Sequence, residues 1–227
     1  DTTVTHRLYL DIGLCPEAVR TNRTLGDKTP FCTDPQPLGR IQVELFGRAA
    51  PGSVANIVAA AAAGAYDNTA LSKVVAGRFI VAGAQGPKRS GLVQAPPDLP
   101  PNPDILASSA FRLTHRRPGT VSLNLSENVD DSYLRFDKGY RNLSLLITTG
   151  PAPVPSLDGE NIVVGQVTPE SLEVIRAITA VPTFTPNDNA RAFNQFASFI
   201  GDERADKTRS KWGRPLQAIL ITSAGLL

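Results

Sequence analysis

Few residues in this chain can carry nucleophilic, redox or metal chemistry. Those that stand out are Cys15 and Cys32, His6 and His115, and neighbouring carboxylates such as Asp130-Asp131 and Asp202-Glu203. A structural zinc site needs four thiolate or imidazole ligands in short-range clusters. Neither histidine lies near the cysteines, so no metal is implied. The cysteines bound a turn-rich stretch, Cys15-Pro16 to Cys32-Thr33, and have two readings: a disulfide closing a small loop, or two reduced structural thiols. A bridge of that span stabilises by about 3 kcal/mol in the loop-entropy picture and implies an oxidising compartment. The sequence has no Gly-x-Ser-x-Gly elbow, Walker loop, His-Glu-x-x-His pair or dinucleotide fingerprint. Gly83-Ala84-Gln85-Gly86 reads as a turn, and the carboxylate pairs read as solvated loop charges. No cofactor is called for.

Composition narrows the classes further. With 227 residues the chain can bury a core without needing disulfides. Charged residues are only 19%, below the usual globular share of about 25%, which excludes a charged disordered tail or a coiled coil. The balance of 23 basic against 21 acidic residues gives no basic stripe for a nucleic acid; Lys88-Arg89 and Arg116-Arg117 are short loop clusters. No apolar run approaches the ~18 residues that cross a bilayer, so a soluble mature protein is expected. The chain contains no methionine, so a processed start with any targeting segment removed is expected. Three Asn-x-Ser/Thr sequons begin at Asn22, Asn124 and Asn142. Two of them touch expected strands, where a glycan would clash, so they read as chance matches.

The elements that must position any site are mostly short strands. Val4 to Ile12 alternates apolar and polar, and Gly39 to Phe46 places Ile41, Val43 and Leu45 on one face. Pro51 and Gly64 bracket a helix in the usual order. Strand patterns follow at Thr69 to Val75, Arg78 to Ala82, Phe111 to Leu113, Thr120 to Leu125, Leu143 to Thr148, Ile162 to Val167 and Leu216 to Thr222. Helices are expected at Glu170 to Thr179 and at Asn189 to Ile200, the latter with an apolar stripe of Phe193, Phe196, Ala197 and Ile200. That stripe reads as core packing, with partner docking as the alternative. Pro87 to Pro103 reads as a long loop. Many short strands with two or three helices, without βαβ alternation, give a mainly β chain: a closed antiparallel barrel with helices over its ends. Ile41, Val43, Leu45, Val121, Leu123, Ile147 and Val163 are expected inside.

Three stretches in order carry a resemblance. Leu38-Gly39-Arg40-Ile41-Gln42-Val43-Glu44-Leu45-Phe46 with Ala50-Pro51 and Val54-Ala55-Asn56-Ile57 resembles the opening of the cyclophilins. Leu71 to Gly83 is similar to their "FHRxxPGFxxQGG" strand pair, read with one extra residue at Arg78. Leu157-Asp158-Gly159-Glu160-Asn161-Ile162-Val163-Val164-Gly165-Gln166-Val167 is similar to their "LDGxxVVFGxV" stretch. The cysteine pair, the Leu157-Asp158-Gly159 context and Phe199 to Ala205 look like a divergent member from the thylakoid lumen of plants and algae. The resemblance implies an eight-stranded antiparallel barrel capped by two helices, plus an inserted C-terminal helix. It implies one domain over 1–227, with insertions near 15–37, 87–117, 128–141 and 181–214. It also implies cis–trans isomerisation of X–Pro bonds without a cofactor.

Such an enzyme grips the proline ring and places a donor near the prolyl nitrogen, weakening the amide resonance that sets a barrier of about 18–20 kcal/mol. Carried over residue by residue, the groove is eroded. Lys73 stands at the arginine position and Ser72 at the histidine before it. Phe79 matches the first pocket phenylalanine and Ile80 its apolar neighbour. Ala82 falls on the glutamine, and Asn124-Leu125-Ser126 on the Ala-Asn-Ala rim. Leu146 replaces the second phenylalanine, Ser156 the tryptophan and Asn161 the histidine. The only tryptophan, Trp212, lies in the C-terminal insertion. A lysine is a mobile point charge where an arginine is a planar fork. Barrel positions are kept and groove positions are not, which points to weak or absent isomerase activity. The expectation is a binding, assembly or chaperone factor for protein clients in the chloroplast thylakoid lumen, such as a photosystem or its assembly intermediate. An active isomerase on lumenal proteins is the alternative.

Overall fold

The computed structural model describes residues 1–19, 32–86, 88, 91–126, 141–202, 205, 208–209 and 211–227. The Asn22 sequon, the Asp130-Asp131 pair, Arg89, Glu203 and most of the 128–141 insertion lie outside them. Strand β1 (His6–Val19) puts Leu8, Leu10 and Ile12 in the core. It pairs with β2 (Gln36–Leu45) in a register that sets Arg7 opposite Glu44 and Asp11 opposite Arg40. Both pairs are ion-bonded, at 3.0 Å and 2.7 Å, and the Arg40 guanidinium lies 4.2 Å over the Tyr9 ring. A slip by one residue would break these pairs and turn the apolar face outward, so charge and burial fix the same register.

Helix α1 (Pro51–Ala62) follows. Its small side chains let Val54, Ile57, Ala60 and Ala61 pack into the main core. No side chain of its own N-cap, Ala50, satisfies its first turn. The 87–117 insertion supplies one: Asp104 Oδ2 accepts from the Ser53 N–H at 2.7 Å, and Asn102 donates to the Ser53 hydroxyl at 3.0 Å. The Pro-rich stretch is also tied down. Leu99 is buried, Asn56 donates to the Pro100 carbonyl and Arg141 to that of Leu99. The insertion therefore caps and covers the barrel.

Next come β3 (Thr69–Ala70), β4 (Lys73–Val75), β5 (Phe79–Ala82), β6 (Thr120–Leu123), β7 (Leu145–Thr148), β8 (Ile162–Val167), α2 (Leu172–Ala180), α3 (Asp188–Phe199) and β9 (Gln217–Leu226). All ladders between these strands are antiparallel, in the order β3-β9-β1-β2-β8-β6-β7-β5-β4. The two ends of that order are neighbours in the chain. Only Leu71 and Ser72 separate β3, on β9, from β4, on β5, and both bond onward: Leu71 N–H to Ile219 O, Ser72 N–H to Val81 O. The segment from 69 to 75 is thus one interrupted strand that closes the ring, and the nine strands make an eight-stranded barrel.

Three sequence expectations are corrected. Phe111 to Leu113 is no strand; Ser108–Phe111 forms a 3-10 turn. Val163 is buried but faces away from the core, opposite Ser122, while Ile162 and Val164 point in. An unbroken apolar run does not reveal its inner face by periodicity, and a bulge at Val121/Ser122 sets the phase. The α3 stripe is not core either. Ala197 is buried, but Phe193, Phe196 and Ile200 are 73%, 63% and 63% exposed, with Phe199 beside them at 88%. Cys15 and Cys32 are joined as a disulfide, Cα atoms 5.9 Å apart. Asn124 and Asn142 are buried, where no glycan fits.

Candidate functional site

The hairpin β4–β5 and strand β7 carry most of the expected groove residues. Its register is uninterrupted: Lys73 opposite Val81, Val74 opposite Ile80, Val75 opposite Phe79. Strand β7 continues it, with Leu146 opposite Val81 and Ile147 opposite Ile80. Alternation then divides the residues between two faces. Ile80, Ala82, Leu145 and Ile147 belong to the barrel core. Phe79, Val81, Leu146, Val154 and Leu157 form a separate apolar cluster outside it, with Val75 against its edge. Phe79 and Leu146 are thus brought together as expected, whereas Ile80 and Ala82 look the other way.

The hairpin has no bulge to hold an extra residue. Read without a gap, Leu71 to Gly83 has the same length as the family stretch, and this was the missed signal. Arg78 then takes the first aromatic position, Phe79 its neighbour, and Val81 the glutamine. Two cations rim Phe79: the Lys73 ammonium at 6.0 Å and the Arg78 guanidinium at 5.4 Å from its ring. The phenyl ring is only 1% exposed, so the cluster is a covered floor. Arg78 Nη2 donates to Ser156 Oγ at 3.0 Å, which joins the carried-over tryptophan position to the hairpin.

Asn124 and Asn161 serve the rim. Asn161 Oδ1 accepts from the N–H groups of Leu125 and Ser126, at 2.8 Å and 3.1 Å, and its amide donates to Ser126 Oγ and the Leu157 carbonyl. This side chain is fully buried and uses both ends of its amide to hold two loops. Asn124 is bonded to Ser144 by backbone and side chain. Neither points a free group at a peptide.

Behind the Val154–Leu157 segment, His115 Nδ1 lies 2.8 Å from Asp158 Oδ1, which also accepts from the His115 N–H. Burial pushes the imidazole below its ordinary value, outweighing the pull of Asp158. The neutral ring donates from Nδ1, and its buried Nε2 has no partner among the described residues. Tyr66, also buried, has its phenol raised by desolvation and donates to the Leu143 carbonyl. Its ring packs where a Cβ on Gly83 would stand at 2.7 Å, and Gly83 has φ +71°. No turn forms at 83–86; Gln85 makes an isolated bridge to Val93, and the positive φ with the close ring explains why position 83 is a glycine.

The C-terminal insertion reaches the same region. Gly213 accepts from the Val74 N–H at 2.7 Å, and a Cβ on it would lie 3.2 Å from Lys73 Cγ. Residues 211–214 therefore cover the outer edge of β4 and the stem of Lys73. Among the described residues no group of three or more His, Cys, Asp or Glu is placed to hold a metal.

A barrel closed by an interrupted strand, with an apolar floor outside it, is the arrangement that the three sequence stretches imply. The family model described as cyclophilin type peptidyl-prolyl cis-trans isomerase/CLD matches residues 31–195, well over half of the chain, and the chain belongs to that family. A particular relative is the peptidyl-prolyl cis-trans isomerase CYP28, chloroplastic, of Arabidopsis thaliana. It is 44% identical over 234 residues, which span 100% of this chain and 83% of that protein.

Proposed function

We propose that this chain is a single-domain chloroplast cyclophilin that binds protein clients as an assembly or chaperone factor and isomerises X–Pro bonds slowly at most. The observation that carries this reading is the covered floor. Phe79, Val81 and Leu146 are buried in one cluster with Val154 and Leu157, and Arg78 and Lys73 stand at the Phe79 ring, so a proline ring must displace side chains, a charged one among them, before it meets an apolar surface. The residues carried over for stacking and donation, Ser156 and Asn161, are engaged elsewhere. No cofactor enters the reading.

The chloroplast assignment rests on the relative, whose printed name is chloroplastic. The disulfide fits an oxidising space, and the thylakoid lumen is the compartment that the sequence resemblance suggests. The client we favour is a photosystem or its assembly intermediate. Support comes from α3 and the residue after it, where Phe193, Phe196, Phe199 and Ile200 face solvent. Large exposed apolar patches on a soluble domain mark contact surfaces. The printed name of the relative is also that of an isomerase, which favours the second reading, an active enzyme on lumenal proteins.

An isomerisation assay by NMR exchange, beside a cyclophilin with the full set of groove residues, separates the two. We expect a kcat/KM at least about a hundredfold lower, equivalent to ~2.7 kcal/mol, the loss typical of one fixed transition-state donor. A value within about tenfold of the control gives the enzyme reading precedence.

A further inference from the structure

We propose that Arg78 is the specificity-determining residue of this groove and selects client segments with an aspartate or glutamate beside the proline. This rests on the reading of the β5–β7 outer face as the peptide groove. The Arg78 backbone is held on both sides: its N–H bonds to Val75 O and its carbonyl accepts from Thr149, each at 3.0 Å. The side chain lies over the Phe79 ring and ends on Ser156 Oγ. Among the described residues no carboxylate pairs with it. The acid nearest in sequence to Ser156, Asp158, is committed to His115 through both the backbone N–H and the ring.

A guanidinium whose one side-chain acceptor among the described residues is a neutral hydroxyl holds a replaceable bond. A carboxylate offers two charged oxygens to the same planar fork, and such charge-assisted bonds are roughly twice as strong as neutral ones. An acidic residue next to the proline therefore does two things. It draws the guanidinium from Ser156, and in doing so opens the approach to the Phe79 ring. A neutral neighbour must displace the arginine with nothing in exchange, and a basic one meets both Arg78 and Lys73.

The test uses the whole protein, with its disulfide intact, and short peptides containing Glu-Pro, Ala-Pro or Lys-Pro, followed by amide shifts and exchange NMR. Glu-Pro is expected to bind about fivefold tighter than Ala-Pro, within the range of an exposed ion pair, with Lys-Pro weakest. The difference should shrink in high salt. Arg78→Ala should level the series and tighten Ala-Pro. Arg78→Glu should reverse the order, and Ser156→Ala should retain the acidic preference while tightening both Glu-Pro and Ala-Pro. Equal affinities in the wild type, or a preference that survives Arg78→Ala, overturn the proposal while leaving the groove in place. Failure of every peptide to perturb Phe79, Val81 and Leu146, in wild type and variants alike, overturns the groove reading and this proposal with it.

Discussion

His115 and Asp158 are bonded twice, from the histidine backbone at 2.7 Å and from its ring at 2.8 Å, and the ring is buried. The imidazole is held below its ordinary value of 6.5 because burial outweighs the carboxylate. In the unfolded chain it protonates near 6.5. Between the lowered folded value and 6.5 the unfolded state therefore holds more protons, and stability falls as pH falls through that window. Urea midpoints at pH 7.5 and 5.5 should show this, with a slope of up to ~1.4 kcal/mol per pH unit from this group. His115→Gln should flatten that part of the profile; an unchanged slope would clear His115 of the effect.

Asn161 is a second pinning residue. Asn161→Ala removes the acceptor of two N–H groups, one on the buried Leu125. An orphaned buried donor costs about 1–3 kcal/mol, so a total loss of about 2–4 kcal/mol is expected in denaturant unfolding. Asn161→His, which restores the family residue, should also destabilise and should not raise activity.

Two routes to rebuilding the groove have different outcomes. Ala82→Gln puts an amide into the barrel interior, beside Leu145. Overpacking and polar burial each cost about 1–3 kcal/mol, and thermal unfolding should register the loss. Val81→Gln with Lys73→Arg places both groups on the outer face, opposite one another. Val81 is itself buried in the Phe79 cluster, so this pair also costs about 1–3 kcal/mol, but it leaves the barrel core intact and should raise isomerase activity above wild type.

The α1 cap supplied from the insertion is testable alone. Asp104→Ala leaves the Ser53 N–H without its acceptor, and losing a cap costs about 0.5–2 kcal/mol. Hydrogen exchange should quicken first at the start of α1.

Much of the barrel was legible. β1, β2 and α1 show clean alternation or helix punctuation, and two cross-strand ion pairs agree with it. The site was less so. The count of residues between Leu71 and Gly83 decides which face of β5 looks outward, and adding one residue at Arg78 exchanges the faces. A strand has period two, so one step moves every side chain across the sheet. The α3 stripe misled for a different reason. Helical spacing shows which residues share a side, but not whether anything lies against it, and Asn194 and Ala197 are what the fold packs there. The Asp104 cap joins residues 51 positions apart, and no local pattern announces it.

Strand β1 lies between β2 and β9, so the first and last strands of the barrel are hydrogen-bonded side by side, with Leu8 facing Leu226. The interrupted strand from 69 to 75 also waits for β9. Until residues 217–226 arrive, β1 and the 69–75 segment both present open edges, and open edges invite pairing with other chains. A chain entering a compartment amino end first thus cannot complete its barrel part-way through transit. It needs shielding along its whole length, and the barrel seals only once the last strand has crossed.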